Sequence, residues 1–202
     1  MIPEGKEGGA TELTGEKTLN ILLIGNSHTY YNDMPERLRK KALASGWSCR
    51  VVMIAHGGWY LAQHAPEPEV RFNILYGGYD YVVLQEHAHP FGPEEKFLEA
   101  ARALNGMIRQ AGSVPVIYEV WAMKTDPETQ PCMNAVHERV AGEIGALLAP
   151  VGRRWRERQE ESPDTDLFAE DGRHASEAGS DFAAECIWET IFGDLSAGKG
   201  QA

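Results

Sequence analysis

The chain has 202 residues, 43% hydrophobic and 24% charged, with 19 Lys and Arg against 30 Asp and Glu, for a formal net charge of −11. The apolar fraction is too high for a chain disordered throughout, and the length suits one buried core; no short fixed repeat marks a collagen or a coiled coil. The acidic balance argues against a nucleic-acid binder, whose phosphate contacts need clustered Lys and Arg.

Residues 1–18 are rich in Gly, Glu, Lys and Thr and read as a disordered lead-in without an apolar signal segment. No run of about 18 apolar residues predicts a membrane span. Cys49, Cys132 and Cys186 are too few and too scattered for a disulfide framework or a zinc site. Buried or half-buried thiols in a reducing, cytoplasmic setting are the expectation.

Order is expected from Leu19. The apolar run Leu19 to Ile24 ends at Gly25, as a buried parallel strand does. A polar loop, Asn26 to Asn32, leads to Asp33 and Glu36, spaced as a capping box with Pro35 in the first turn. Met34, Leu38 and Ala42 then share one helical face up to Gly46. Cys49 to Ile54 is a second strand, followed by His56-Gly57-Gly58, a Pro-containing loop and a short helix near Val70 to Leu75. A third strand, Tyr81 to Leu84, precedes a helix marked by Phe97, Ala101, Leu104 and Ile108. Val114 to Tyr118 is a fourth strand, and Met133, Val136, Val140, Ile144 and Leu147 mark the next helix. Ala149 to Val151 fits a short fifth strand, and the Arg/Glu-rich segment Arg153 to Glu161 a solvated surface helix. Ser176 is the expected N-cap of a last helix, with Phe182, Cys186 and Ile187 inward and a frayed tail over residues 194–202. Residues 19–193 thus form one domain: an α/β fold with about five strands in a mostly parallel sheet covered on both faces. Ligands of such sheets gather at the carboxyl ends of the strands. That points to the loops Gly25–Thr29, His56–Trp59, Gln85–Pro90 and Glu119–Met123.

Two of the chain's motifs suit nucleophilic catalysis. In Gly25-Asn26-Ser27 a serine stands at the rim of a parallel strand, where a general base within hydrogen-bond reach would activate it. In Asp171-Gly172-Arg173-His174 a carboxylate three residues before a histidine can fix its tautomer and stabilise the imidazolium. Glycine-rich phosphate loops are absent, which disfavours a nucleotide-binding reading. Glu86, His87 and His89 offer metal-ligand chemistry, but no further ligand at supporting spacing accompanies them, so no metal is expected.

Gly25-Asn26-Ser27 near one end and Asp171-x-x-His174 near the other together resemble the SGNH/GDSL hydrolase superfamily over roughly Leu19 to Phe192. The resemblance implies a flavodoxin-like three-layer αβα sandwich, with Ser27 as nucleophile, His174 as base and Asp171 as its orienting acid. It implies an oxyanion hole from the N–H groups of Ser27 and of a glycine after the second strand, Gly58 in preference to Gly57. Leu84-Gln85-Glu86-His87 replaces the family's usual Gly-x-Asn-Asp, and Gln85 takes the place of the Asn donor. Asn26 stands where Asp is commoner. Acyl transfer on small esters without a cofactor is the implied activity, with O-acetylated carbohydrate the favoured substrate. Tyr30, Trp59, Glu86 and Trp121 are expected to line the substrate. The competing reading keeps the fold as an inactive glycan-binding module whose rim aromatics hold a sugar.

Overall fold

The computed structural model describes residues 18–198. The expected disordered lead-in, apart from Thr18, lies outside the described residues, as do residues 199–202. Five strands, β1 (Leu19–Gly25), β2 (Cys49–Ala55), β3 (Tyr81–Gln85), β4 (Val114–Tyr118) and β5 (Leu147–Ala149), form one parallel sheet in the order β2-β1-β3-β4-β5. This is the flavodoxin-like order, with its switch point between β1 and β3.

Alternation along β1 divides the core into two layers. Leu19, Ile21 and Leu23 face a cluster with Tyr81, Val83, Val116 and Tyr118, closed by Met34, Leu38 and Ala42 of α2 (Met34–Ala44), Trp155 of α7 (Val151–Glu161), and Phe182, Ile187 and Ile191 of α8 (Glu177–Ser196). Leu22 and Ile24 face the opposite cluster, with Val82, Leu84 and Ile117. It is closed by Val70 and Ile74 of α4 (Pro68–Tyr76), Phe97, Ala101, Leu104 and Ile108 of α5 (Glu94–Gln110), and Val136, Val140 and Ile144 of α6 (Gln130–Ile144). The three-layer α/β expectation is met.

Several local expectations are not. The stretch Asn26 to Asn32 is not an open loop: α1 (Ser27–Tyr30) and a 3₁₀ turn at Tyr31–Asp33 occupy it. The capping box at Asp33 does not form. Asp33 sits at φ 56°, in the left-handed region rather than the extended geometry an N-cap needs, and Glu36 binds Arg39 instead. A short helix, α3 (Leu61–His64), had no sequence signal. The fifth strand ends at Ala149 because Pro150 has no N–H for the ladder and leads into α7. The polar face of α7 is tied to the core by Arg153, which binds the fully buried Glu119 carboxylate while that carboxylate also accepts the Arg153 backbone N–H. The last helix extends past Gly193 through Ser196, because the Asp194 carboxylate accepts the Tyr81 hydroxyl at 2.8 Å in a buried contact.

Candidate active site

The register aligns Gly25 with Ala55 and Ile24 with Leu84, so the loop after β1 lies between those after β2 and β3. Gly25 must be glycine, since a Cβ there would overlap Thr29 Oγ1 and the Gln85 side chain. Asn26 caps α1, its Oδ1 accepting the His28 N–H at 3.1 Å. Its Nδ2 donates to the Trp59 carbonyl at 2.9 Å, tying the first loop to the second, and its N–H donates to Gln85 Oε1 at 2.9 Å, tying it to the third. Ser27 is thereby fixed as the first residue of α1.

The segment before α8 brings the histidine to this serine. It is clamped by an antiparallel bridge between Phe168 and Ala175, by Trp121 Nε1 donating to the Arg173 carbonyl at 2.8 Å, and by Asn32 Nδ2 donating to the Ala175 carbonyl at 2.8 Å. His174 Nδ1 lies 2.6 Å from Asp171 Oδ2, and His174 Nε2 lies 2.8 Å from Ser27 Oγ. A carboxylate can only accept, so the proton sits on Nδ1 and Nε2 is left to accept from the serine hydroxyl. Partial burial pushes the Asp171 carboxyl up. The His174 hydrogen bond and the N–H groups of Arg173 and His174 on its Oδ1 outweigh this and hold it well below the usual carboxylate range. Tyr31 stacks on the His174 ring, with centroids 4.3 Å apart and planes 13° apart.

The other sequence-predicted residues divide into rim and foundation. Tyr30 is exposed at the rim, its hydroxyl next to Gly57. Trp59 is half-buried there and lies over His56 at 4.3 Å. Gly57 and Gly58 are both exposed, Gly58 at φ 74°. The backbone N–H groups of Ser27, Gly57 and Gly58 have no hydrogen-bond acceptor among the described residues.

Gln85 departs from its expected donor role. It is buried under the serine loop, and its Oε1 accepts from both Asn26 N and Thr29 Oγ1. Its Nε2 is turned to the Glu86 carbonyl. Glu86 does not line a substrate site either, since it is buried and its carboxylate accepts the Leu61 and His87 N–H groups, with desolvation raising its pKa to about 7. Trp121 is wholly buried and stacks on Trp155 at 3.9 Å, a post under the histidine segment rather than a rim platform. His87 stacks on Tyr60, and no group of three or more His, Cys, Asp or Glu among the described residues is arranged to hold a metal ion. Cys49 and Cys186 are buried and Cys132 is exposed, all as free thiols.

Sequence reading missed several supporting residues. His64 is buried with Nε2 2.8 Å from the Gly25 carbonyl, and Thr29 fastens the serine loop to Gln85. His28 lies 5.1 Å from the His174 ring, its pKa lowered to about 3 by burial and then by neighbouring imidazoles. Their apolar or loop contexts carried no periodic signal that distinguishes a brace from an ordinary core residue.

A parallel sheet in this order, with a serine, a histidine and an aspartate joined at its switch point, defines an α/β sandwich of the serine-hydrolase kind. No protein-family model and no curated protein matches the sequence. Solved structures do. A candidate SGNH hydrolase from Slackia heliotrinireducens is 29% identical at a TM-score of 0.73, over 86% of this chain and 99% of that one. A carbohydrate esterase family 3 protein from Talaromyces cellulolyticus is 13% identical at a TM-score of 0.71, over 89% of this chain and 99% of that one. An acetyl xylan esterase is 13% identical at a TM-score of 0.67, over 86% of this chain and all of that one. The chain has the fold of these SGNH hydrolases and esterases, and such neighbours support the SGNH/GDSL hydrolase superfamily.

Proposed function

We propose that the protein is a serine ester hydrolase working through an acyl-enzyme on Ser27, with small acyl groups, acetyl on carbohydrate above all, as substrate. The observation that carries the reading is the hydrogen-bonded chain Ser27 Oγ, His174 Nε2, His174 Nδ1, Asp171 Oδ2. Structural neighbours that include an SGNH hydrolase, a carbohydrate esterase and an acetyl xylan esterase support the ester and the acyl class.

In the first step His174 Nε2 takes the Ser27 proton as Oγ forms a bond to the ester carbonyl carbon, and the carbonyl pair moves onto oxygen. The N–H groups of Ser27 and Gly58, with Gly57 the alternative, stabilise that oxyanion; a donor of this kind is typically worth about 10²–10³ in rate. The imidazolium, held by Asp171, returns the proton to the leaving alcohol as the C–O bond breaks. Water, deprotonated by the same nitrogen, then releases the acid and restores the serine. Gln85 serves this centre as a positioning residue beneath the nucleophile.

Covalent labelling with a fluorophosphonate tests the assignment. Label is expected on the wild type and on Ser176→Ala and is expected to vanish in Ser27→Ala; equal labelling of the two variants overturns it. Turnover of p-nitrophenyl acetate against longer-chain esters reads the acyl preference, and acetate release from O-acetylated xylan against p-nitrophenyl acetate reads the alcohol preference.

A further inference from the structure

A cleft of about 460 Å³ is lined by Arg173, the residue before His174, and by the loop after β3. Ala88, Pro90, Phe91 and Met133 make much of its wall apolar, and Arg173 stands at its edge. Arg173 is covalently joined to His174. His89, also on the wall, has its ring 5.2 Å from His28, which in turn lies 5.1 Å from the His174 ring.

The guanidinium of Arg173 stands apart from the other arginine side chains among the described residues, each of which has a partner. Arg37, Arg39, Arg102, Arg139, Arg153, Arg154, Arg156 and Arg158 all pair with carboxylates. Arg50 and Arg109 donate to amide or carbonyl oxygens, and Arg71 lies over the Phe72 ring. Arg173 is exposed, and among the described residues its side chain makes no hydrogen bond, ion pair or ring contact. Asp126 shares the cleft, yet no ion pair joins it to Arg173. His89 adds no charge near neutral pH, since burial and then the neighbouring His87 and Arg173 lower its pKa to about 4.

We propose that Arg173 is a specificity residue, selecting esters whose alcohol half carries a carboxylate. The inference rests on the hydrolase reading above. The leaving alcohol must lie near His174 Nε2, which returns its proton, and Arg173, the adjoining residue, carries a guanidinium on the lining of the cleft. A guanidinium offers a carboxylate two parallel N–H donors, and apolar walls strengthen that charge-assisted pair. Asp126 in the cleft and Asp171 beside it favour a single negative charge over a doubly charged phosphate.

The test uses a matched pair, 2-acetoxypropanoate and its neutral amide, 2-acetoxypropanamide. Each is titrated by calorimetry into full-length Ser27→Ala, which cannot turn them over, and into Ser27→Ala/Arg173→Leu and Ser27→Ala/Arg173→Lys. The carboxylate is expected to bind Ser27→Ala at least tenfold more tightly than the amide. Arg173→Leu is expected to erase that ratio and Arg173→Lys to restore part of it. A ratio unchanged by Arg173→Leu, or no detectable binding of the carboxylate to Ser27→Ala, overturns the proposal. Fluorophosphonate labelling of the wild type reads the Ser27 assignment separately, so failure of the hydrolase reading and failure of the carboxylate site give different results.

Discussion

Ser27 and His174 stand 147 positions apart in the chain, yet the serine Oγ lies 2.8 Å from the histidine Nε2. Each side of that contact is braced on its own. Gln85 accepts two hydrogen bonds under the serine loop, and Trp121 holds the carbonyl of Arg173, one residue before the histidine. The contact is therefore a property of the sheet edge and of the segment before α8, not of a flexible loop that happens to reach it.

Asp171→Asn tests the polarity of the chain. An Asn amide directed at Nδ1 would make that nitrogen an acceptor and move the proton to Nε2, which could then no longer take the Ser27 proton. Ester turnover is expected to fall by about 10²–10⁴-fold. The thermal midpoint should hardly move, because an Asn oxygen can still accept the two backbone N–H groups now on Oδ1. Turnover within a few-fold of wild type would remove Asp171 from the mechanism.

Gln85→Ala tests the brace. It leaves the buried Asn26 N–H and Thr29 hydroxyl without their common acceptor, at about 1–3 kcal/mol for each group left unsatisfied. Urea unfolding should record that loss. Labelling by a fluorophosphonate, measured well below the unfolding transition, should slow as well, because the Ser27 loop loses its tie to β3. Stability loss with an unchanged labelling rate would leave Gln85 with a packing role only.

The sheet was legible because its strands are short apolar runs ended by glycine or polar residues, and a buried parallel strand has that pattern. Ser27 and His174 were legible as residues at strand and helix ends, where side chains must leave the core. Glu86 and Trp121 were misplaced because position in a loop after a strand does not say which way a side chain turns. Both loops fold back beneath the rim, one onto Leu61 and the other onto Trp155. Gln85 was misread for a related reason: the chemistry of its NH₂ group was correct, but the Asn26 N–H needs an acceptor and so fixes which end of the amide faces the serine loop. The left-handed backbone at Asn32 and Asp33, which displaces the expected cap, is supported by Asn32 Nδ2 contacts to Ala175 and Ser180, far away in sequence.

Trp121→Phe separates stacking from hydrogen bonding. The ring should remain against Trp155, while the Arg173 carbonyl loses its donor, a change of about 1 kcal/mol. A modest fall in melting midpoint is expected together with a lower kcat, since the lost bond is one residue from His174. Trp121→Ala is expected to cost about 3–5 kcal/mol, the range for emptying a buried aromatic site. A Phe variant with wild-type kcat would show that the bond holds the segment without tuning the histidine.

Stability should fall on acidification, and buried histidines set the direction. Burial is the largest cause holding His28 at about 3 and His89 and His137 at about 4, against an ordinary 6.5. The unfolded chain takes up protons on these rings as pH drops through 6.5 while the folded chain does not. The stability they contribute is thus present above that pH and lost below it, on the order of 1–2 kcal/mol per ring between about pH 7 and pH 5. Glu86 opposes them. Burial raises its carboxyl from 4.5 to about 7, so the folded state holds the proton more tightly and gains stability as pH falls through that window, on the order of 2 kcal/mol. Three rings outweigh one carboxyl, and the unfolding free energy in urea should be lower at pH 5 than at pH 7. Glu86→Gln removes the opposing gain and should steepen the decline; a slope equal to that of the wild type would show that the Glu86 carboxyl is already charged in the folded protein at pH 5.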